Sequence, residues 1–281
     1  MRVFKFPNEV KSMKFSMDRK QLLPQLGRSV SFGFGILGFA LFACVASAAA
    51  EEPAVSAPVV AEVATPNATE VAAKPSPLLF VERVTGGADP EASLPLIVAI
   101  HGLGDRPESF LHLFDGFQVP ARVIAPRAPM EMGSGGSWYE MRTASREELD
   151  ASIAAMADRL MTLIRRVALE RPTDGRVIVT GFSQGGILSF ALAARDGDLF
   201  TLAAPIAGFL PAGLETKAGP SAPRIVAFHG EADERIQVGL AEQTVTRLRD
   251  AGYDVELNRY PGLGHAVSPD LHRAHRKVLS E

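Results

Sequence analysis

The chain has 281 residues, of which 47% are hydrophobic and 22% are charged, and this composition is typical of a globular protein. The formal net charge of −3 provides no surplus of basic residues to neutralise a phosphate backbone, so we expect no nucleic-acid partner. With a single cysteine, Cys44, the chain cannot depend on disulfides for its fold.

Residues 1–50 are typical of a secretory signal peptide. They hold seven basic and two acidic residues, a net charge of +5, which leaves −8 for the rest of the chain. The basic part is followed by an uncharged run over residues 29–50, which is apolar at its centre and ends in small residues of the Ala-x-Ala type. We therefore expect this leader to be cleaved and the protein to be exported, either to the periplasm or out of the cell.

Two other interpretations of the leader remain open. The uncharged run is long enough to span a bilayer as an uncleaved N-terminal anchor. The segment Leu41-Phe42-Ala43-Cys44 resembles a bacterial lipoprotein acylation box, although phenylalanine is unusual at its second position. Either alternative would attach the protein to a membrane, through the leader itself or through a lipid on Cys44.

Residues 51–77 are predicted to be a disordered linker. They are rich in Ala, Val, Pro, Glu and Thr, and five prolines interrupt any helix or central strand. Because the segment has neither a helical nor a strand period, we expect a flexible tether before the domain that covers residues 78–281.

In this domain short β-rich segments alternate with longer helical ones, which predicts an α/β fold with a mainly parallel sheet flanked by helices. Functional groups are then expected at the carboxyl ends of the strands. The predicted strands cover residues 78–84, 94–100, 122–125, 177–180, 200–206, 224–228 and 255–260. The predicted helices cover residues 144–169, 186–194 and 238–251, and a last helix begins at Pro269.

The strongest chemical signal follows the predicted strand at 177–180. This strand runs into Gly181-Phe182-Ser183-Gln184-Gly185 and then into a helix, which is the setting that a Gly-x-Ser-x-Gly nucleophile elbow requires. The sharp turn exposes the serine oxygen above the sheet, and the helix N-terminus adds amide donors where an oxyanion would form. We therefore predict that Ser183 is a nucleophile.

A serine nucleophile requires a base and an acid that orients the base. His265 stands in a glycine-rich loop after the last predicted strand and is the predicted base. Asp233 follows the strand at 224–228 and is the predicted acid, because the order serine, acid, histidine is typical of this kind of fold. Glu231 and Glu234 lie close enough in the chain to compete for that role.

The five other histidines are expected to have no part in catalysis. His101 and His229 each precede a glycine at a strand end, where a hydrogen-bonded loop histidine is expected. His112, His272 and His275 lie in helical or surface segments, and we expect them to be solvated.

Several segments together resemble the phospholipase/carboxylesterase branch of the α/β-hydrolases, which includes acyl-protein thioesterases. They are His101-Gly102-Leu103-Gly104-Asp105, Ala125-Pro126-Arg127-Ala128-Pro129, Gly181-Phe182-Ser183-Gln184-Gly185-Gly186, the loop from His229 to Asp233, and Gly264-His265. The resemblance extends over roughly residues 94–268 and implies an α/β-hydrolase fold.

The resemblance also implies roles for individual residues. Ser183, His265 and Asp233 would form a catalytic triad. The backbone N–H groups of Leu103 and Gln184 would form the oxyanion hole.

Three aromatic residues are candidate walls of the substrate pocket. Trp138 lies in a segment that resembles the family's Trp-aromatic-acid segment near the acyl site. Phe182 directly precedes Ser183, and Phe209 lies in the connection over residues 206–224. Residues 130–136 depart from the family's usual sequence. The connection over residues 206–224 is too short for a large lid domain, so we expect an open site.

These features predict an exported serine hydrolase that cleaves small-molecule carboxylic esters through an acyl-enzyme. No metal or cofactor is expected, because no cluster of His, Cys and Asp has the spacing of a zinc site. A peptidase of the same fold and a non-catalytic ligand-binding protein of that fold are the alternatives.

Overall fold

The computed structural model describes residues 77–141, 145–195, 197–214 and 216–281. The predicted leader and, apart from Pro77, the predicted linker lie outside the described residues. None of the helices in the described part of the chain combines the length and the apolar character needed to cross a membrane.

Within the described residues, seven strands form a central sheet and two further strands form a separate hairpin. The strands are β1 Phe80–Thr85, β2 Leu94–Ile100, β3 Ala121–Pro126, β4 Met130–Met132, β5 Gly135–Ser137, β6 Thr173–Phe182, β7 Leu202–Ile206, β8 Arg224–Gly230 and β9 Val255–Tyr260. The sheet order is β1-β3-β2-β6-β7-β8-β9, and β4 pairs with β5. All neighbours in the sheet are parallel except β1 and β3.

The α-helices of the described residues are α1 Pro107–Phe110, α2 Arg146–Glu170, α3 Gln184–Arg195, α4 Val238–Asp250 and α5 Pro269–Val278. Two of them begin at serine caps. The Ser145 side chain accepts a hydrogen bond from the Glu148 N–H, and the Ser268 side chain accepts one from the Leu271 N–H. Each cap satisfies an amide that has no acceptor within its own helix, which fixes where α2 and α5 begin.

Each face of the sheet carries an apolar core. Strand β2, in which every residue is buried, contributes alternately to both: Leu96 and Val98 pack into one core, and Ile97 and Ala99 into the other. The first core includes side chains of α2, α3 and α4, and the second includes side chains of α1 and α5. This double burial explains why the β2 sequence is continuously apolar.

The predicted α/β class is confirmed, and most predicted elements agree with the structure to within a few residues. Strands β2 and β9 have the predicted bounds. The sequence pattern predicts neither the one-turn helix α1 nor the β4–β5 hairpin. Both are too short to show a period, and two of the three residues of β5 are glycines.

Strand β6 begins at Thr173, four residues before the predicted start at 177. Thr173 pairs with Leu94 of β2, and Gly175 adopts a φ of +91° within this extension. Residues 174–176 are polar or glycine and are exposed, so no apolar alternation marks them as a strand.

The connection between β7 and β8 contains one turn of 3-10 helix, Ala212–Leu214, and no α-helix among its described residues. The described part of this connection therefore contains no large lid.

His275 on α5 is fully buried, so the expectation of a solvated side chain is wrong. The Thr180 hydroxyl donates to the Ala204 carbonyl and accepts a hydrogen bond from His275 Nε2, each over 2.7 Å. The ring also packs edge to face on Phe228, with 5.4 Å between the ring centroids. Burial, helped by nearby His272, lowers the pKa of His275 to about 3, so its imidazole is neutral at physiological pH.

We expect His275 to make the fold sensitive to acid. Its pKa is about 3 in the folded protein and 6.5 in the reference state, so between these values the unfolded chain binds an extra proton. The stabilisation by neutral His275 is complete above pH 6.5 and is lost as the pH falls toward 3. At about pH 4.5 the loss amounts to roughly 2–3 kcal/mol of unfolding free energy.

Urea unfolding of the wild type and of His275→Gln at about pH 7 and about pH 4.5 measures this effect. Glutamine keeps a donor for Thr180 but does not titrate. The variant should therefore lose less stability on acidification than the wild type, and equal losses in the two proteins would contradict the assignment.

Candidate active site

Ser183 occupies the sharp turn between β6 and α3. Its φ of +58° lies in the left-handed region, which is uncommon for any residue other than glycine. The Ser183 N–H donates to the Ile206 carbonyl at the end of β7 over 3.0 Å, and the Ser183 carbonyl accepts from the Ile187 N–H over 2.9 Å. These two bonds hold the strained backbone in place.

Close backbone contacts require the glycines on either side of Ser183. A Cβ at Gly181 would lie 2.4 Å from the carbonyl oxygen of Gly185, and a Cβ at Gly185 would lie 1.9 Å from that of Ile100. Both distances are far below van der Waals contact. The Gly-x-Ser-x-Gly spacing therefore allows the turn to pack directly on the end of β2.

His265, in the loop between β9 and α5, reaches the serine. Its Nε2 lies 2.9 Å from Ser183 Oγ and can accept the hydroxyl proton. This loop is bound to the loop after β8, because the Ala232 N–H donates to the Leu263 carbonyl over 3.0 Å. The imidazole also packs on the Phe182 ring, with 4.7 Å between centroids.

Asp233 lies behind the imidazole with its side chain fully buried. Its Oδ2 accepts a hydrogen bond from His265 Nδ1 over 2.7 Å. Its Oδ1 accepts from the backbone N–H groups of Arg235 and Ile236, each over 2.9 Å. The structure thus joins Asp233, His265 and Ser183 in one continuous chain of hydrogen bonds.

Neither of the two glutamates considered as alternatives to Asp233 is hydrogen-bonded to His265 in the described structure. Glu231 and Glu234 are both exposed, and the Glu231 carboxylate lies 3.6 Å from the guanidinium of Arg259. Among these three acidic residues, Asp233 alone is hydrogen-bonded to His265 in the part of the chain that the structure describes.

Burial opposes ionisation of Asp233, but the nearby imidazole of His229 and the hydrogen bonds from His265 and the Ile236 N–H outweigh it. They hold the pKa of this carboxyl well below its usual range. Asp233 therefore remains a carboxylate at neutral pH, and a carboxylate in this place stabilises positive charge on His265.

His229, expected to be an ordinary loop histidine, is a second imidazole beside Asp233. It is buried, its Nε2–H donates to the Ile236 carbonyl over 2.8 Å, and the same nitrogen lies 3.4 Å from Asp233 Oδ2. Its place at the end of β8, four residues before Asp233, is the feature of the sequence that could have indicated this contact.

Leu103 and Gln184, predicted to supply the oxyanion donors, lie on two segments that approach Ser183. Gln184 is the first residue of α3, so its N–H has no acceptor within the helix. Leu103 follows Gly102, where a Cβ would lie 3.5 Å from the Ser183 Cβ. The arrangement places one backbone amide on each of two segments that meet at the serine.

The three predicted pocket walls differ in exposure. Trp138 is 0% exposed and Phe182 is buried against His265, whereas Phe209 is partly exposed. Of these three residues, Phe209 alone is not fully buried.

The β4–β5 hairpin is attached to the 101–105 loop through backbone bonds. The Gly104 N–H donates to the Gly136 carbonyl over 2.8 Å, and the Gly136 N–H donates to the Asp105 carbonyl over 2.9 Å. A Cβ at Gly135 would lie 2.2 Å from the Gly104 oxygen, so the two backbones approach closely. Both methionines of β4 are exposed.

The described residues contain no group of three or more His, Cys, Asp and Glu side chains that could hold a metal ion. The groups joined at Ser183 are a hydroxyl, an imidazole and a buried carboxylate, and the first backbone amide of α3 follows the serine directly. Such a set can activate the hydroxyl and stabilise an oxyanion, the two requirements of acyl transfer.

Comparison with known proteins identifies the family. A family model described as phospholipase/carboxylesterase matches residues 81–280. The chain belongs to this family. It is accordingly a carboxylic ester hydrolase of the serine type.

Relatives in the phospholipase/carboxylesterase family are distant in sequence. A probable carboxylesterase of Oryza sativa subsp. japonica is 25% identical over 192 residues, covering 62% of this chain and 72% of the relative. Acyl-protein thioesterase 1 of Mycosarcoma maydis is 27% identical over 214 residues, covering 66% and 88%. The crystal structure of esterase PE8 matches 73% of this chain and 98% of its own, with a TM-score of 0.63 at 20% identity, which supports the α/β-hydrolase fold.

Asp233→Asn should lower kcat for an ester substrate by about 10³–10⁴-fold. The amide keeps the shape of the carboxylate but cannot stabilise an imidazolium, and it favours the wrong tautomer of His265. Steady-state hydrolysis of a p-nitrophenyl ester measures the effect.

Glu231→Gln and Glu234→Gln are the matched controls, because each removes one carboxylate from the same loop. Both should keep kcat within about twofold of the wild type. A large loss in either control, or a small loss in Asp233→Asn, would show that the acid has been misassigned.

Proposed function

We propose that this protein is an exported serine esterase that hydrolyses small-molecule carboxylic esters through an acyl-enzyme. Ser183 is the nucleophile, His265 the general base and acid, and Asp233 the residue that orients and charges the base. The proposal rests chiefly on the unbroken hydrogen bonds from Asp233 Oδ2 through His265 to Ser183 Oγ, of 2.7 and 2.9 Å.

Acylation begins when His265 Nε2 takes the hydroxyl proton of Ser183 and the serine oxygen attacks the ester carbonyl. The carbonyl electron pair moves onto oxygen, where the amides of Leu103 and Gln184 would stabilise the negative charge. When that pair returns, the bond to the alcohol oxygen breaks, and His265 gives its proton to the leaving alcohol. The acyl group remains on Ser183.

Deacylation repeats the sequence with water in place of the serine hydroxyl. His265 takes a proton from water, the hydroxide oxygen attacks the acyl carbonyl, and Ser183 leaves with the proton returned by His265. The products are the carboxylic acid and the free enzyme. Ionised Asp233 faces the imidazolium in both steps and keeps Nε2 directed at the reacting oxygen.

The surroundings of Ser183 favour soluble esters of modest size. The described part of the β7–β8 connection has no lid helix to open at a lipid interface. Among the predicted walls, partly exposed Phe209 is the proposed contact for the acyl group. The relatives named acyl-protein thioesterases cleave a bond that the same serine chemistry can attack, so thioesters belong in the substrate panel.

The leader supports the export part of the proposal. Its +5 charge, its uncharged run and its Ala-rich end are typical of a signal peptide. The proposed substrates are therefore esters met outside the cytoplasm, and depalmitoylation of cytosolic proteins is not the proposed task.

Ser183→Ala should abolish labelling by a fluorophosphonate probe and lower ester turnover by roughly 10⁵–10⁶-fold, because the variant has no oxygen to form the acyl-enzyme. Gel fluorescence and p-nitrophenyl ester hydrolysis measure the two effects. Aminoacyl anilides, tested in parallel, would reveal a peptidase.

Ser189→Ala is the matched control, since Ser189 is a buried serine of α3 whose hydroxyl donates to the Gly185 carbonyl within the helix. This variant should still be labelled. Labelling of Ser183→Ala at the wild-type level would refute the assigned nucleophile.

The full-length protein, expressed in a bacterium with its leader, should be recovered outside the cytoplasm with a new N-terminus close to residue 50. Cell fractionation and N-terminal mass spectrometry check this expectation. Cys44→Ser separates the alternatives, because it would block a lipid anchor and leave signal-peptide cleavage unchanged. An intact leader on protein from the cytosol would overturn the export proposal.

A further inference from the structure

Two side chains hold consecutive peptide groups of the 101–105 loop. The Trp138 indole Nε1–H donates to the His101 carbonyl, and His101 Nδ1–H donates to the Gly102 carbonyl, each over 2.8 Å. The two rings contact each other with 4.9 Å between centroids. One side chain therefore fixes the peptide before Gly102, and the other fixes the peptide after it.

The Gly102 carbonyl matters because it belongs to the same planar peptide as the Leu103 N–H. In a trans peptide these two groups point in opposite directions, so fixing the oxygen also fixes the direction of the amide. The Asp105 N–H donates to the same oxygen over 3.2 Å. The direction in which Leu103 presents its N–H is thus set by the partners of Gly102.

The same tryptophan is bonded to the second proposed oxyanion donor. The Trp138 N–H donates to Gln184 Oε1 over 3.1 Å, and Gln184 Nε2 donates to the Tyr139 carbonyl over 3.3 Å. Gln184 is 2% exposed, so its side-chain amide forms its hydrogen bonds with other groups of the protein. Trp138 is therefore hydrogen-bonded to both segments that carry the proposed oxyanion donors.

Neither ring is available to a substrate, since Trp138 and His101 are both 0% exposed. Buried carbonyl groups that lose their donor carry a desolvation cost, so each of these bonds constrains the loop strongly. Because both rings are buried, they can hold the 101–105 loop from inside the protein but cannot contact an ester.

We propose that Trp138 and His101 form a positioning pair that aligns the Leu103 and Gln184 amides as an oxyanion hole. This inference rests on the proposed function, because it concerns the same reaction. It replaces the expectation that Trp138 lines the acyl pocket with a role in holding the backbone that stabilises the oxyanion.

His101 can hold the Gly102 carbonyl in this way as a neutral imidazole. With the proton on Nδ1, its Nε2 lone pair accepts a hydrogen bond from the Ala128 N–H over 3.3 Å. Burial lowers the pKa of His101 from its ordinary value, which keeps the ring neutral and both bonds in place.

The test compares an ester with the matched thionoester, in which sulfur replaces the carbonyl oxygen. A sulfur anion accepts hydrogen bonds weakly. A well-aligned oxyanion hole therefore accelerates hydrolysis of the oxygen ester more than that of the thionoester, and misalignment reduces this difference. Trp138→Phe keeps an aromatic ring against His101 but removes the indole donor. We expect kcat for the ester to fall roughly 10–100-fold with KM little changed, and the ester-to-thionoester ratio to fall with it.

His101→Asn and His101→Ala provide a second, independent pair of variants. Asparagine can donate to the Gly102 carbonyl from about the position of Nδ1, whereas alanine cannot. We expect the ester-to-thionoester ratio of kcat values to fall in His101→Ala and to be largely retained in His101→Asn. This pair keeps the inference testable if Trp138→Phe does not fold.

Phe200→Leu is the control for loss of core packing, because Phe200 is 2% exposed in the same core as Trp138 and lies outside the site. It should leave the ester-to-thionoester ratio unchanged. The inference is overturned if Trp138→Phe keeps wild-type kcat, or if it slows both substrates equally. Ser183→Ala separates this outcome from failure of the proposed function, since an active Ser183→Ala enzyme would refute the mechanism itself.

Discussion

The left-handed turn at Ser183 is the point where β6 ends, α3 begins and the ends of β2 and β7 make contact. A non-glycine residue in this region costs on the order of 1 kcal/mol, and the surrounding contacts must hold it there. They do so through the bond from the Ser183 N–H to Ile206 and through glycines 181 and 185, which let the turn lie directly on the end of β2. Because β2 continues into the 101–105 loop, the same packing places Gly102 beside the serine, where a Cβ on Gly102 would lie 3.5 Å from the Ser183 Cβ.

The second constraint is the burial of the Asp233 carboxylate, which loses its hydration in the folded protein. Asp233 is removed from water and accepts hydrogen bonds from two backbone amides and from His265, with His229 close to the same oxygen. This set of donors compensates for the lost hydration and keeps the group charged. The parallel neighbours β8 and β9 make this pairing possible, since the loop after β8 carries Asp233 and the loop after β9 carries His265.

The sequence allowed the sheet and the grouping of Ser183, His265 and Asp233 to be predicted because their signals are local. The apolar run of β2 and the glycine spacing around Ser183 each reflect a constraint on adjacent residues. The burial of His275 and the contacts of His229 and Trp138 depend on elements far away in the chain, so neighbouring residues give no indication of them. The hairpin β4–β5 was missed for a related reason: its backbone pairing with Asp105 and Gly104 defines it more than any side-chain pattern does.

That hairpin bears on which surface positions of the fold tolerate change over evolution. It is joined to the 101–105 loop through main-chain bonds and through glycines that admit no side chain, so its attachment does not depend on which residues β4 carries. The exposed side chains at positions 130 and 132 can therefore be exchanged while the hydrogen bonds at positions 104, 105 and 136 persist. Sequence variation at these two surface positions is thereby separated from the backbone contacts of the 101–105 loop, so a lineage can alter this part of the surface without disturbing that loop.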